Sequence, residues 1–343
     1  MVARVVAAVS LIALVPAAMG FSAASRWASS TTTRATVRRQ LTEDADFPSD
    51  SGEFDFAPAV EDAVVIQPPE EVKLELLRLA ASTAKGEAAS DAEKDQGRGL
   101  VASLELSNPT PFPCLDGASQ GTWELVFSDT QLFRSSPFFM AGRAVCSTPE
   151  QAKQYDWFCD MHRAALAISQ IRRVRQIVSI DKIVSEFEVS AGAVPFLAQR
   201  VPLPGMFNGY SGGLPLQIEG AIVSTADIVG QPAEGDGVEL LMDTVEIKGS
   251  NIPLLRGLLD NGVKLESRQL GSLLEDNLPD YANPKPLFRT TYLDDQLRVC
   301  RDQDDKLFVY SKLSDSTSPT DYGDSAADLG IGKLVEGLQT TFL

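Results

Sequence analysis

Two helices open the part of the chain in which hydrophobic and polar residues follow a regular pattern. Apolar residues recur at spacings of three and four between Val72 and Ala80, which predicts an amphipathic helix. This helix begins at the proline pair 68–69, because proline is tolerated in a first turn, and it ends near Gly86. A second helix is predicted over 90–106, where apolar residues again return about once per turn.

After these helices the period changes to that of a β-strand. Trp123, Leu125 and Phe127 occupy alternate positions, which predicts a strand from Gly121. Six further segments have strand character, namely 174–180, 183–190, 216–228, 238–247, 288–301 and 306–312. Between them, 252–278 has the leucine spacing of a helix. The order predicts a mainly β fold of antiparallel strands with N-terminal helices and one inserted helix, and such strands close well into a barrel.

The first 66 residues have the composition of targeting and linker segments. The apolar run Val5–Met19 is too short to cross a bilayer, and small residues follow it, so 1–20 is predicted as a signal peptide. Residues 21–42 contain four arginines, many Ser, Thr and Ala, and no acid, which is typical of a transit peptide. Residues 43–66 are predicted as an acidic linker. This two-part start resembles the presequence of algae with secondary plastids, and secretion with a basic propeptide is the alternative.

The net charge and its distribution along the chain exclude some classes of function. The chain of 343 residues has a formal net charge of −17, one His and four Cys. Residues 43–62 hold eight acids and no base, whereas 63–313 carry a net charge of −10. The tail, 314–343, is also acidic and has room for a short helix. Nucleic acid is not expected as a partner, because binding phosphates requires clustered Lys and Arg. The Cys count does not indicate a disulfide scaffold.

Three motifs resemble catalytic or metal sites, and none is complete. Residues 209–213 match the nucleophile elbow G-x-S-x-G, which needs a His later in the chain, but the single His162 precedes it. Cys159 and His162 offer two metal ligands where a closed zinc site needs four. The paired carboxylates at 294–295 and 302–305 are typical of solvated turns. We therefore expect no catalytic residue, no metal and no cofactor.

One basic cluster has two interpretations. Arg172, Arg173 and Arg175 lie within four residues and have no neighbouring aromatic side chains of a nucleic-acid site. They fit either a solvated end of a strand or helix or a contact with anionic lipid headgroups.

The segment Gly121-Thr122-Trp123 resembles the G-x-W of lipocalin-type barrels, in which the Trp closes one end and a late Arg packs over it. Arg298 and Arg301 both have the place in the chain for this contact. More broadly, 67–313 resembles the plastid lipid-associated protein family, the fibrillins. The stretches that carry this resemblance are 76–86, 104–111, 121–128, 132–139, 290–302 and 308–310, and the longest is the closing segment Thr290–Asp302.

The resemblance implies a lipocalin-like β-barrel in the plastid, at the stroma-facing surface of plastoglobules or thylakoids. It implies a non-enzymatic protein that binds or organises carotenoids, quinones or other lipids. We expect structural roles for Trp123, Tyr292, Asp294 and Arg298. The residues expected at the surface or at the barrel mouth, in contact with lipid, are apolar side chains near Gly and Pro, namely Phe138, Phe139, Phe196, Met206 and Phe207.

Two other functions stay open at the level of the sequence. The first is a lipocalin-fold enzyme that acts on isoprenoid or acyl lipids, which a cavity containing two carboxylates or a Ser–carboxylate pair would favour. The second is an assembly partner that docks on a membrane or lipid-synthesis complex through the predicted helical segment 254–277, which a large exposed apolar helix face would favour.

Overall fold

The computed structural model describes residues 68–114, 117–165, 169–192, 217–232, 237–251, 256–258, 260, 264–277, 281–323, 327–328 and 336. The predicted signal peptide, transit peptide and linker lie outside the described residues. Phe196, Met206 and Phe207 also lie outside them, so their predicted contact with lipid stays a prediction.

The two predicted N-terminal helices are confirmed. Helix α1 covers Pro69–Ser82 and helix α2 covers Asp91–Leu106. Ser90 caps α2 in a capping box, because its side chain accepts from the N–H of Glu93 while the Glu93 carboxylate accepts from the N–H of Ser90. The apolar faces of both helices pack against one outer side of the β-sheet, in a cluster that joins Leu76 and Leu104 to Val299.

The sheet is antiparallel, and eight of its strands form a ring. Its strands are β1 Gly121–Ser128, β2 Ser169–Val178, β3 Lys182–Gly192, β4 Gln217–Gly230, β5 Gly237–Lys248, β6 Lys264–Glu266, β7 Leu287–Leu293, β8 Leu297–Arg301 and β9 Leu307–Ser314. The ring runs β1-β2-β3-β4-β5-β7-β8-β9 and closes where β9 pairs with β1. The short β6 adds to β5 outside the ring.

Three further helices accompany the ring. They are α3 Pro137–Ala144, α4 Pro149–Ala165 and α5 Ser267–Asn277. The sequence of 150–165 fits a helix as well as a loop, and the structure shows that this segment is helical. The prediction of a single helix over 252–278 is wrong, because Lys264–Glu266 forms a strand that pairs with Thr244–Glu246 of β5 before α5 begins.

The predicted strand 288–301 is in fact two strands. Asp294 breaks it, because its carboxylate accepts from the N–H groups of both Gln296 and Leu297, at 2.8 Å and 2.7 Å. This side-chain turn reverses the chain between β7 and β8. β8 then alternates: Leu297 and Val299 belong to the outer cluster under α1 and α2, whereas Cys300 belongs to the core inside the ring.

The ring therefore has two apolar layers on either side of β1, β7, β8 and β9. The outer layer contains the apolar faces of α1 and α2. The inner layer contains Trp123, Leu125, Phe288, Phe308 and Tyr310. The chain continues along the ring past residue 313: Thr320 donates its N–H and its hydroxyl to the buried carboxylate of Glu186, at 2.9 Å and 2.6 Å. Within the described residues, no helix is long and apolar enough to cross a membrane.

Candidate functional site

A cavity lies at one end of the ring, which we call the turn end. Here the turn between β2 and β3 and the short 3-10 helix Gly117–Ser119 come together. The cavity holds about 260 Å³. Its apolar wall comes from five strands and one turn, and consists of Val178, Ile180, Ile183, Ile228, Val238 and Phe288.

The cavity opens to solvent beside the β2–β3 turn. Three lining residues there are exposed: Gly117, Ile180 and Gln231. Ile180 is 81% exposed, although it is a large aliphatic side chain. The adjoining Val229 is exposed as well. Ile180 and Val229 thus place exposed apolar side chains at this end of the ring, which we call the apolar rim, and Ile180 lies between Ser179 and Asp181, which hydrogen-bond to each other.

The same cavity also has polar lining groups, and Arg298 is the only charged side chain among its lining residues that the structure describes. Arg298 is 2% exposed. Its guanidinium lies over the rings of Trp123 and Tyr310, 5.2 Å and 4.7 Å from their centroids, and donates to the amide oxygen of Gln176. Of the two arginines that the sequence allowed, Arg298 therefore makes the contact with Trp123.

Besides the contact with Arg298, Trp123 makes a hydrogen bond that fits the structural role expected for this residue. Its indole N–H donates to the carbonyl of Ser119 at 2.9 Å, so the 3-10 helix is tied to β1 across the turn end. Arg301 lies on the other face of β8, where its guanidinium pairs with Glu105 of α2 at 2.8 Å. Arg298 and Arg301 thus make their contacts on opposite faces of β8.

Tyr292 and Asp294 also have structural surroundings. The Tyr292 hydroxyl donates to the Asp294 carboxylate, and Lys73 of α1 forms an ion pair with the same carboxylate at 2.6 Å. Burial raises the pKa of Asp294, but hydrogen bonds from Lys73, Tyr292 and two backbone N–H groups together bring it below the usual value. This group fastens α1 to the β7–β8 turn.

Phe138 and Phe139 are buried, which corrects the expectation that they lie at the surface; their contact with lipid stays a prediction. They belong to α3, they are buried, and they pack with Phe133 in the inner core. The physical reason is that Pro137 occupies the first turn of a helix under the Ser136 cap rather than an exposed loop. Both rings line a second cavity of about 40 Å³, and Phe138 also lines a third of about 70 Å³ against α5.

His162 lies beside this second cavity in an aromatic environment. Its ring is 4.6 Å from Phe133 and 5.2 Å from Phe139, between centroids. Burial lowers the pKa of His162 to about 4, so the imidazole is neutral at physiological pH. Burial likewise raises the pKa of the Cys159 thiol to about 11. No group of three or more His, Cys, Asp or Glu in the described part of the chain could hold a metal ion.

The basic cluster on β2 is paired with acids of neighbouring strands. Arg172 forms an ion pair with Glu219 of β4, and Arg175 forms ion pairs with Glu186 and Glu188 of β3. Arg173 is 3.9 Å from Glu124 of β1. These cross-strand pairs neutralise the cluster, so the interpretation as a headgroup contact loses its basis.

Two exposed apolar side chains on α4, Trp157 and Met161, were not identified in the sequence analysis. Trp157 is 63% exposed and Met161 is 51% exposed. They are four residues apart and therefore lie on the same face of the helix. The spacing was visible in the sequence, but 150–165 fitted both a helix and a loop, and only the helix aligns the two side chains.

No family model, no curated protein and no solved structure matches this chain.

Proposed function

We propose that this chain is a fibrillin-like protein of the plastid that binds an apolar molecule inside a lipocalin-like β-barrel and works at a lipid surface, without catalysing a reaction. The observation that carries the proposal is the cavity of about 260 Å³ at the turn end, with an apolar wall and an exposed apolar rim. The G-x-W strand, with Trp123 beneath Arg298, supports the likeness to lipocalins.

The cavity suits a small apolar ligand for physical reasons. Protein interiors are close-packed, and space of this size is rare in them. A cavity of about 260 Å³ is slightly smaller than the roughly 300–1,000 Å³ of typical ligand sites. Because the wall belongs to hydrogen-bonded strands, it is formed before a ligand arrives, and binding does not have to order it. A longer ligand would extend out of the cavity past Ile180.

The exposed apolar side chains support work at such a surface. Trp157 and Met161 present one face of α4 to solvent, and indole rings favour the boundary between lipid and water. The arginines of β2 are neutralised by neighbouring acids, and 63–313 carry a net charge of −10. Apolar contact therefore accounts for association better than attraction to anionic headgroups.

Flotation of the mature chain, 43–343, with galactolipid-coated triacylglycerol droplets tests the surface association. The mature chain should float, and the double variant Trp157→Ser, Met161→Ser should stay largely in the dense fraction. Leu106→Ser is the matched control, because Leu106 is 92% exposed at the end of α2 and has no part in the proposal. If the mature chain does not float, or if the control and the double variant float equally, the surface association is wrong.

A further inference from the structure

Arg298 is a buried cation without a buried anion. Two other largely buried arginines have carboxylate partners: Arg134 pairs with Asp156 and Arg175 with Glu186. No carboxylate of the described residues lies within ion-pair distance of Arg298, and its hydrogen bond goes to the neutral amide of Gln176. The Nε of Arg298 is buried and donates to no acceptor of the described residues. Its positive charge therefore has no carboxylate counter-charge in the part of the chain that the structure describes.

The chemistry of guanidinium makes this arrangement unusual. The group stays charged at every accessible pH and presents its five N–H donors in one plane. A buried charge is unfavourable unless it is paired and hydrogen-bonded. Trp123 and Tyr310 compensate part of the charge through their ring faces. Ring faces cannot accept the in-plane N–H groups, so the buried Nε–H still has no acceptor among the described residues.

The same side chain lines the cavity at the turn end. Ser119, Gln120 and Thr290 line the cavity together with Arg298 and the apolar side chains of the strands. A site that combines a buried cation with an apolar lining matches an amphipathic anion. Arg is also the side chain best shaped to hold a carboxylate through two parallel hydrogen bonds.

We propose that the cavity takes a carboxylic acid with an apolar chain, with its carboxylate on Arg298 and its chain along the wall towards the exposed Ile180. This inference rests on the proposed function, since it names the chemical class of the apolar ligand. It also assigns Gln176 a role: the neutral amide holds the guanidinium in position and leaves its charge for the ligand. A glutamate at 176 would satisfy that charge internally.

Isothermal titration calorimetry of the mature chain at pH 8 with decanoate and with 1-decanol tests the inference. The two probes share one apolar chain and differ in charge. Decanoate should bind about tenfold more tightly than 1-decanol, because only the carboxylate can pair with Arg298. The same comparison of a charged and an uncharged probe would distinguish an acidic membrane lipid from a neutral one as the ligand.

The decisive variant is Gln176→Glu, which has nearly the same shape and keeps the oxygen that accepts from Arg298. Its affinity for decanoate should fall about tenfold or more, while its affinity for 1-decanol stays within about twofold, which also shows that the variant is folded. Gln154→Glu is the matched control, because it adds the same charge at an exposed position of α4 and should change neither affinity.

Each result bears on the inference. Equal affinity of the wild type for both probes, or an unchanged decanoate affinity in Gln176→Glu, overturns the carboxylate site and leaves the apolar cavity in place. Binding of neither probe overturns the carboxylate site and the proposed function together. Preference for decanoate that Gln176→Glu abolishes and Gln154→Glu preserves supports the carboxylate site.

Discussion

The guanidinium of Arg298 lies over the indole of Trp123, 5.2 Å from the ring centroid, and joins β8 to β1 across the interior of the strand ring. Strand β9 lies between these two strands in the sheet, so the contact links strands that share no backbone hydrogen bonds. Trp123 reaches in addition to Ser119 in the 3-10 helix. The Trp123 indole therefore connects the start of β1 to Arg298 of β8 and to the 3-10 helix at the turn end.

Removal of this indole should strongly destabilise the fold. We expect Trp123→Ala to lower the free energy of unfolding by about 3–5 kcal/mol, because a fully buried ring is lost and Arg298 loses one of its covering faces. Urea denaturation followed by circular dichroism measures this change. Trp157→Ala is the control: the side chain is exposed, and its loss should change stability by less than about 0.5 kcal/mol. Similar losses in both variants would contradict the position of Trp123 in the core.

Asp294→Asn should destabilise the attachment of α1 to the β7–β8 turn. The variant keeps an oxygen for the N–H groups of Gln296 and Leu297 but leaves Lys73 without its buried partner, which we expect to cost about 3 kcal/mol at pH 7. The exposed Asp295→Asn is the control and should be nearly neutral.

The pH dependence of this difference follows from the lowered pKa of Asp294 in the folded state. A carboxylate of this kind contributes its stability above its pKa in the unfolded chain, about 4, and loses it as pH falls through the folded pKa. The gap between wild type and Asp294→Asn in urea denaturation should therefore shrink as pH falls from 4 towards 2. A gap that stays constant over this range would contradict the ion pair.

His162 should titrate near pH 4, well below an ordinary imidazole, because burial among phenylalanines disfavours its charged form. The chain contains one His, so its proton NMR signal is unambiguous. Since the folded pKa lies below the unfolded one, stability is complete above about pH 6.5 and declines as pH falls towards 4, by roughly 3 kcal/mol. His162→Phe should remove this decline. A titration midpoint near 6.5 would show that the imidazole is solvated.

Anionic lipid should not strengthen surface association through β2. Free arginines near an anionic surface would each contribute on the order of 1 kcal/mol, but Arg172 and Arg173 already face acids of β4 and β1. We expect the double variant Arg172→Gln, Arg173→Gln to float with droplets containing anionic lipid as the wild type does. A clear loss of flotation would restore the interpretation of this cluster as a headgroup contact.

Sequence periodicity was a good guide where a single physical cause decides the structure. The stripe of α1 and the alternation of β1 each have one buried face, so the apolar pattern predicts the element directly. The pattern failed at Asp294 and at Lys264–Glu266. In both places the outcome depends on a hydrogen bond: a carboxylate that caps backbone N–H groups, and a three-residue strand that pairs with β5.

The candidate site was less accessible to prediction from the sequence. The resemblance to lipocalin-type barrels implied that a late arginine packs over Trp123, and it left Arg298 and Arg301 both open; the structure selects Arg298. The cavity depends on Ile180, Val238 and other residues that meet only when the ring closes. Phe138 and Phe139 were misplaced because hydrophobic residues beside proline occur both in exposed loops and in the first turn of a buried helix.

Titration of the mature chain with the neutral fluorescent dye N-phenyl-1-naphthylamine tests most directly whether the cavity binds apolar molecules. Val178→Phe places a ring into the space of about 260 Å³, whereas Val229→Phe makes the same substitution on an exposed side chain at the same end of the ring. We predict saturable binding to the wild type and to Val229→Phe, and an affinity about tenfold weaker for Val178→Phe. Equal affinities for the two variants, or no saturable binding to the wild type, would contradict the account.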